Sequence, residues 1–482
     1  MGPVTVTGNQ DASVPARPSR GRLRLDVSPL RASRDFRLLI GSGVITMIGS
    51  FITLIAVPVQ IKEMTGSYVA VGLVGAAEFG PMLVCGLYGG ALADAFDRRR
   101  IVIVTETGML VCVGGLVLNA AAPAPHLWIV YLLAGLVAAF DSLQRPSIDG
   151  LVPRYVPHPM LPAAAAVSSL RWNVGAILGP TVGGLIVATA GVSSAYLVDV
   201  VTFGLSLMLL AQLAAAPAAP GAGRPSIASI VDGLRYAATR RDLLGTYVVD
   251  IAAMVLAMPT ALFPFLAART GTPWALGAMY SAAAVGALLA TLLSGWTSRV
   301  HRHGLGVLLA AAGWGLAIAG AGLTASLPVL IAGLVVAGGA DMISGIFRAT
   351  MWNQSIPDEL RGRLSGIELL SYSSGPMLGN ARAGLAAQWG GARFALSSGG
   401  LLCVGAVGAL AAALPAFRRY DERTDPHVLK QRARSRVPTT PPTPATALAP
   451  PPSAPPPTRA PPAPAPPAPA PPAPAPVISR IG

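Results

Sequence analysis

Charge is scarce in this chain of 482 residues. Charged side chains make up 12% of it and hydrophobic ones 53%, whereas soluble domains carry roughly 25% charged residues. That balance excludes a large water-soluble helical protein, whose apolar runs are about 10–14 residues long and have a polar face. Cysteine is limited to Cys85, Cys112 and Cys403, all inside apolar runs and without a pairing pattern. They are read as small packing residues that reveal nothing of redox compartment. No GxxxxGK[ST], HExxH or GxSxG occurs. Neither an ATP-driven pump nor a familiar membrane hydrolase is indicated, so the chain is expected to be no enzyme and to use no cofactor.

What the chain has in abundance is apolar length. A helix needs about 20 residues to cross a bilayer, and runs of that order lie at 38–60, 69–93, 101–122, 127–147, 164–189, 193–215, 243–266, 275–297, 305–325, 327–349, 364–387 and 393–416. An all-α membrane protein of about twelve transmembrane helices follows. The net charge of +14 resembles that of a nucleic-acid binder, but its arginines flank alternate spans. Arg31, Arg34 and Arg37 precede span one, Arg98 to Arg100 follow span two, Arg240 and Arg241 precede span seven, and Arg299 and Arg302 follow span eight. By the positive-inside rule these loops and both termini are cytoplasmic, with the remaining charge facing anionic lipid; no nucleic acid is expected. About 37 polar residues ahead of span one argue against a cleavable signal.

The chain repeats itself. Pro157, Gly175, Gly179, Gly184 and Gly191 return as Pro357, Gly375, Gly379, Gly384 and Gly391 at one offset of about 200 residues, which predicts two pseudo-symmetric six-helix bundles. The expected organisation is a basic cytoplasmic arm over 1–37, bundles at 38–216 and 243–416, and a linker at 217–242. In the linker, Ile227, Ile230, Val231 and Leu234 share one face of a helix lying on headgroups. Residues 417–482 turn basic and then Pro/Ala-rich, and are expected to be a disordered cytoplasmic tail.

Span two ends in GGALADAFDRRR. Gly90 would let the helix end approach another backbone, Asp94 would face the N-terminal end of helix eleven near DELRGRLSG, and Arg98 and Arg99 would reach interface acids or phosphates. The alternative is that these arginines only orient the loop. The motif resembles the loop between helices two and three of the major facilitator superfamily, with Asp97 standing where the general pattern has glycine. There it serves as a cytoplasmic gating latch. GAILGPTVGG in span five resembles that superfamily's antiporter motif: Gly175, Gly179, Pro180, Gly183 and Gly184 leave a helix face bare, for gating or simply for close packing. AVPVQIKEMTGS and DGLRYAATR narrow the resemblance to the branch holding enterobactin exporters and drug/proton antiporters. It implies the major facilitator fold and efflux of a small amphipathic molecule, siderophore or drug-like, from a monomer in the cell membrane.

Without an ATP site, coupling requires a protonatable group inside the membrane, where a carboxylate costs about 2.5–3.5 kcal/mol. Glu78 is mid-span, and Asp141 and Asp341 are equivalent in the repeat; each is a candidate for proton coupling or for a structural ion pair. Asp250, Asp199, Glu106 and Glu368 are equally ambiguous or nearer the span ends. Trp172 and Arg382 are candidate cavity residues. His301 and His303 beside Arg299 and Arg302 read as inside charge, not as a metal site. The other readings are uptake by the same fold, a channel, which should show a pore-lining ring, and a sensor, which should carry a folded soluble domain. The topology predicts that a protease tag on either terminus resists cleavage from outside intact cells; cleavage at either end would overturn it.

Overall fold

With no water in the bilayer core, a backbone crossing it must satisfy its own polar groups, which a helix does. The computed structural model, which describes residues 26–217, 240–356 and 358–430, is helical through most of each apolar run. Four crossings open the first half: α1 Arg34–Thr65, α2 Tyr68–Ala95, α3 Arg98–Ala121 and α4 Leu127–Tyr155. Short polar side chains start three of them. Ser33 accepts from the Phe36 N–H at 3.1 Å, Ser67 from Ala70 at 3.3 Å and Asp97 from Arg99 at 2.9 Å, each occupying an N–H the helix itself leaves free. Gly66, in the left-handed conformation at φ 63°, ends α1.

The run Leu161–Leu210 is α5 and α6 joined by a bend at Gly191, with φ 82° and ψ 173°. The second half opens with α7 Arg241–Ala257, α8 Ala275–Leu292, α9 His303–Leu323 and α10 Leu327–Ser355. Its last run, Asp358–Ala413, is α11 and α12 bent at Gly391, with φ 80° and ψ 173°. Among the described residues ten helices are long and apolar enough to cross a membrane, two of them holding 53 and 41 residues. Since one crossing takes about 20, each of these is a pair, which gives twelve crossings. Both bends need a positive φ that only glycine adopts freely, and they fall at the same register of the repeat.

Helix-to-helix contacts repeat as well. Methyl groups on Gly175 and Gly179 of α5 would lie 2.7 Å from Met47 Cβ and 2.5 Å from Phe51 Cβ of α1, and one on Gly183 would lie 2.9 Å from Ile52 Cα. In the second half Gly375 and Gly379 of α11 sit equally close to Met254 and Met258 beside α7. The glycine face in span five is therefore a packing seam against α1. Gly184 and Gly384 face the other way, toward the opposite half: Gly184 meets Gly277 of α8, and Gly384 meets Tyr68 and Gly72 of α2.

Helix α7 breaks at Met258 and Pro259, continuing as the 3-10 turn Thr260–Leu262 and the short helix Phe263–Ala268. Asn380 of α11 compensates for the break, its Oδ1 accepting from Thr260 Oγ1 at 2.7 Å and from the Ala261 N–H at 3.1 Å. Irregular backbone at membrane depth survives where protein supplies such partners.

The expected disorder does not begin at residue 417. Residues 417–430 hold turns and a short helix, with Phe417, Tyr420 and Val428 buried. Phe417 fills the space left bare by Gly245 and Gly304, and Glu422 binds His301 Nδ1 at 2.9 Å and Gln354 Nε2 at 2.7 Å. Aromatic burial and the partly buried Glu422 carboxylate hold the segment against α7, α9 and α10, so residues 417–430 depart from the expected disorder. The linker helix, the arm before residue 26 and the stretch from 431 lie outside the described residues.

Substitutions at the seam should be costly. Gly179→Val and Gly379→Val are each expected to destabilise by about 1–3 kcal/mol through overpacking. Gly90→Ala, with open space around its added methyl, should leave the thermal midpoint of the purified protein unchanged.

Candidate functional site

Between the halves lies a cavity of about 460 Å³. The first half lines it with residues of α1 to α5, among them Phe51, Glu78, Asp141 and Trp172; the second half adds Met258, Tyr280, Met377 and Asn380. Trp172 meets Phe51 edge to face, ring centres 5.7 Å apart. The halves meet at the end remote from GGALADAFDRRR. There Gly184 abuts Gly277, Thr181 and Ser281 share a hydrogen bond of 2.9 Å, and the Tyr68 and Phe265 rings stand 4.0 Å apart.

Membrane carboxylates are costly unless paired, so their partners sort the candidates. Glu106 accepts from Thr46 at 2.5 Å, Ser206 at 2.6 Å and Gln144 at 2.7 Å, tying α1, α4 and α6 to α3. Asp199 is fully buried and accepts from Thr53 and from Thr202. Asp141 faces the cavity but is held by Arg145 at 2.9 Å, one turn along α4. Asp250 pairs with Arg348 at 2.5 Å, and Asp341 stands 3.9 Å from the same guanidinium. Asp341 is not among the residues lining the central cavity. Glu78 lines that cavity and, among the described residues, has no hydrogen-bond or ion-pair partner. The Glu368 side chain lies outside the described residues.

Two expected roles are corrected. Arg382 does not line the cavity; it lies along Gly399 and the Leu256 carbonyl, and its buried Nε has no partner. Pro376, Met377 and Asn380 give the cavity-facing side of α11; two residues beyond Asn380 the helix has turned by about 200°, which carries Arg382 away. Gly90 touches nothing a methyl would meet. The close approach belongs to Gly89, where a methyl would lie 3.1 Å from the Leu143 carbonyl oxygen of α4.

The rest of the loop motif folds onto its own half. Arg98 pairs with Asp94 at 3.3 Å, Arg99 donates to the Ala211 carbonyl at 2.6 Å, and Asp97 accepts from the Ala216 N–H at 3.1 Å. Side chains at the start of α11, the expected partners of Asp94, lie outside the described residues. Arg348, Arg171 and Asn380 escaped the sequence reading. A lone arginine within an apolar span was the available signal for the first two, as it was for Arg382.

The fold recurs in solved transporters. A POT family transporter in complex with 5-aminolevulinic acid superposes with a TM-score of 0.64 at 13% identity, over 80% of this chain and 97% of its own. For the nucleoside transporter NupG the score is 0.63 at 14% identity, over 80% and 100%. A bacterial homologue of the iron transporter ferroportin, in an inward-facing state, gives 0.60 at 14%, over 80% and 98%. Among curated proteins, the enterobactin exporter EntS of Escherichia coli O139:H28 (strain E24377A / ETEC) is 30% identical over 410 residues, spanning 84% of this chain and 97% of its own. EntS of Shigella boydii serotype 4 (strain Sb227) matches to the same extent.

The Arg348 bridge yields a stability prediction. Arg348→Ala leaves Asp250 buried without its counter-charge and should cost about 3–5 kcal/mol; adding Asp250→Ala should restore much of it in thermal unfolding of the purified protein.

The family model for transmembrane secretion effectors matches residues 26–439, and with twelve crossings around a cavity shared by both halves, the chain belongs to that family of major facilitator transporters.

Proposed function

We propose that this protein is a proton-coupled exporter of the cytoplasmic membrane, moving a small amphipathic molecule, siderophore or drug-like, by alternating access. Its relatives named as enterobactin exporters support the outward direction. The arginine-bearing loops support cytoplasmic placement of both termini, and on that topology the cavity is closed toward the outside by the contacts of Gly184 and Gly384. When the halves rock the other way, the loop of Asp94, Arg98 and Arg99 becomes the latch against α11. Protons are the coupling ion, lipid surrounds the monomer, and no other partner is required.

One observation carries the coupling: Glu78 is a carboxylate in the shared cavity without a hydrogen-bond or ion-pair partner among the described residues. A group that must take up a proton on one side and release it on the other cannot be locked to a fixed cation. By that criterion Asp141, held by Arg145, serves a structural role. The test is efflux from vesicles under an imposed pH gradient, with equilibrium binding measured in parallel. Glu78→Gln should bind substrate but lose accumulation against the gradient, whereas Asp141→Asn and Asp341→Asn should still respond. An unaltered gradient response in Glu78→Gln would move the coupling site elsewhere, and gradient-driven uptake by the parent would reverse the direction.

A further inference from the structure

Beside the central cavity lies a second one of about 500 Å³, bounded by α1, α3, α4, α5 and α6. The two share lining residues, among them Met47, Met109, Asp141, Arg145 and Trp172, so they adjoin across these side chains as two ends of different chemistry. The central end is apolar and rich in methionine: Met47, Met82, Met109, Met258 and Met377. Unbranched, polarisable thioethers adapt to flat rings of varied outline and make favourable sulfur contacts with them.

The side cavity is charged. Five ionisable groups face it: Glu106, Asp141, Arg145, Asp149 and Arg171. Glu106 has both oxygens occupied, by Thr46 and Ser206 on one and Gln144 on the other. Asp141 and Arg145 hold each other. Asp149 acts on Arg171 electrostatically, as Glu106 does, but forms no ion pair or hydrogen bond with it among the described residues. Among the described residues the Arg171 N–H donors have no hydrogen-bond partner, and its Nε is buried. A guanidinium with five N–H donors in a rigid fork matches a flat or tetrahedral oxyanion. It lies along Gly43 of α1, where a methyl would stand 2.7 Å from the Arg171 Cδ, so the bare glycine provides the room for the side chain.

We propose that the substrate is an aromatic anion, its ring seated among the methionines and Trp172 and its anionic group on Arg171. The unpaired Glu78 carboxylate lines only the central end, which disfavours the reverse orientation. This inference rests on the exporter reading only for its biological meaning; the binding preference itself is an equilibrium property that needs no gradient.

The experiment uses the full chain in nanodiscs of zwitterionic lipid, with empty discs subtracted. Naphthalene-2-sulfonate, naphthalene-2-methanol and 2-naphthyltrimethylammonium present one ring system with three charges. The parent should bind the sulfonate at least about tenfold more tightly than the alcohol, as a charge-assisted hydrogen bond predicts, and the ammonium most weakly. In Arg171→Gln the sulfonate-to-alcohol ratio should fall to about one, and Arg171→Lys should keep part of it. If Arg171→Gln binds neither compound, Gly43→Ala decides, since it displaces the guanidinium without removing it: a ratio reduced there supports the site, and an unchanged ratio overturns it. Equal affinities in the parent, preference for the ammonium, no binding of any of the three, or an intact ratio in Arg171→Gln each overturn the proposal. A preserved preference with no proton-driven efflux would sink the coupling reading and leave this site standing.

Discussion

The membrane interior offers a polar group nothing but other protein, and this constraint arranges most of what is polar in the chain. Glu106 gathers three donors from three helices, Asp199 takes two threonines, Asp250 takes Arg348, and the broken backbone of α7 takes Asn380. Each knot ties helices that apolar packing alone would leave free to slide. Against that background an unpartnered charge needs a reason. Among the described residues Glu78 has no hydrogen-bond or ion-pair partner and the Arg171 donors are unbound; the first faces the central cavity and the second the cavity beside it.

Glycine sets the geometry within which those knots form. Two kinds of close approach recur at one register: Gly175 and Gly375 bind helices within a half, while Gly184 and Gly384 let one half touch the other. The first kind makes each bundle rigid. The second is a contact of small residues, stabilised by backbone proximity and not by interlocking side chains, and such a surface can part and re-form without a large rearrangement.

The crossings and their repeat were legible because uniform apolar length and a fixed spacing of glycine and proline survive in a bare sequence. Direction was harder to read. Gly89 and Gly90 are adjacent in a string, and only the position of α4 shows that the first one is close-packed. Arg382 and Arg171 look alike as lone arginines in apolar runs, yet helical phase carries one away from the cavity and leaves the other facing its side chamber. Whether an acid is paired depends on residues far away in sequence: Arg348 lies 98 positions from its partner Asp250, and no local pattern announces it. Residues 417–430 were misread because a basic composition masked the three anchors Phe417, Tyr420 and Val428.

The bends at Gly191 and Gly391 join two crossings with no intervening loop. An ordinary connection has slack, and either neighbour can shift while the other stays. Here α5 passes into α6, and α11 into α12, through a single residue, so a displacement of one is handed to the next as torque. The helices that line the central cavity, α5 and α11, are thereby geared to neighbours with exposed apolar side chains, among them Val201 of α6 and Leu401 of α12, through which the stiffness or thickness of a surrounding bilayer would bear on them.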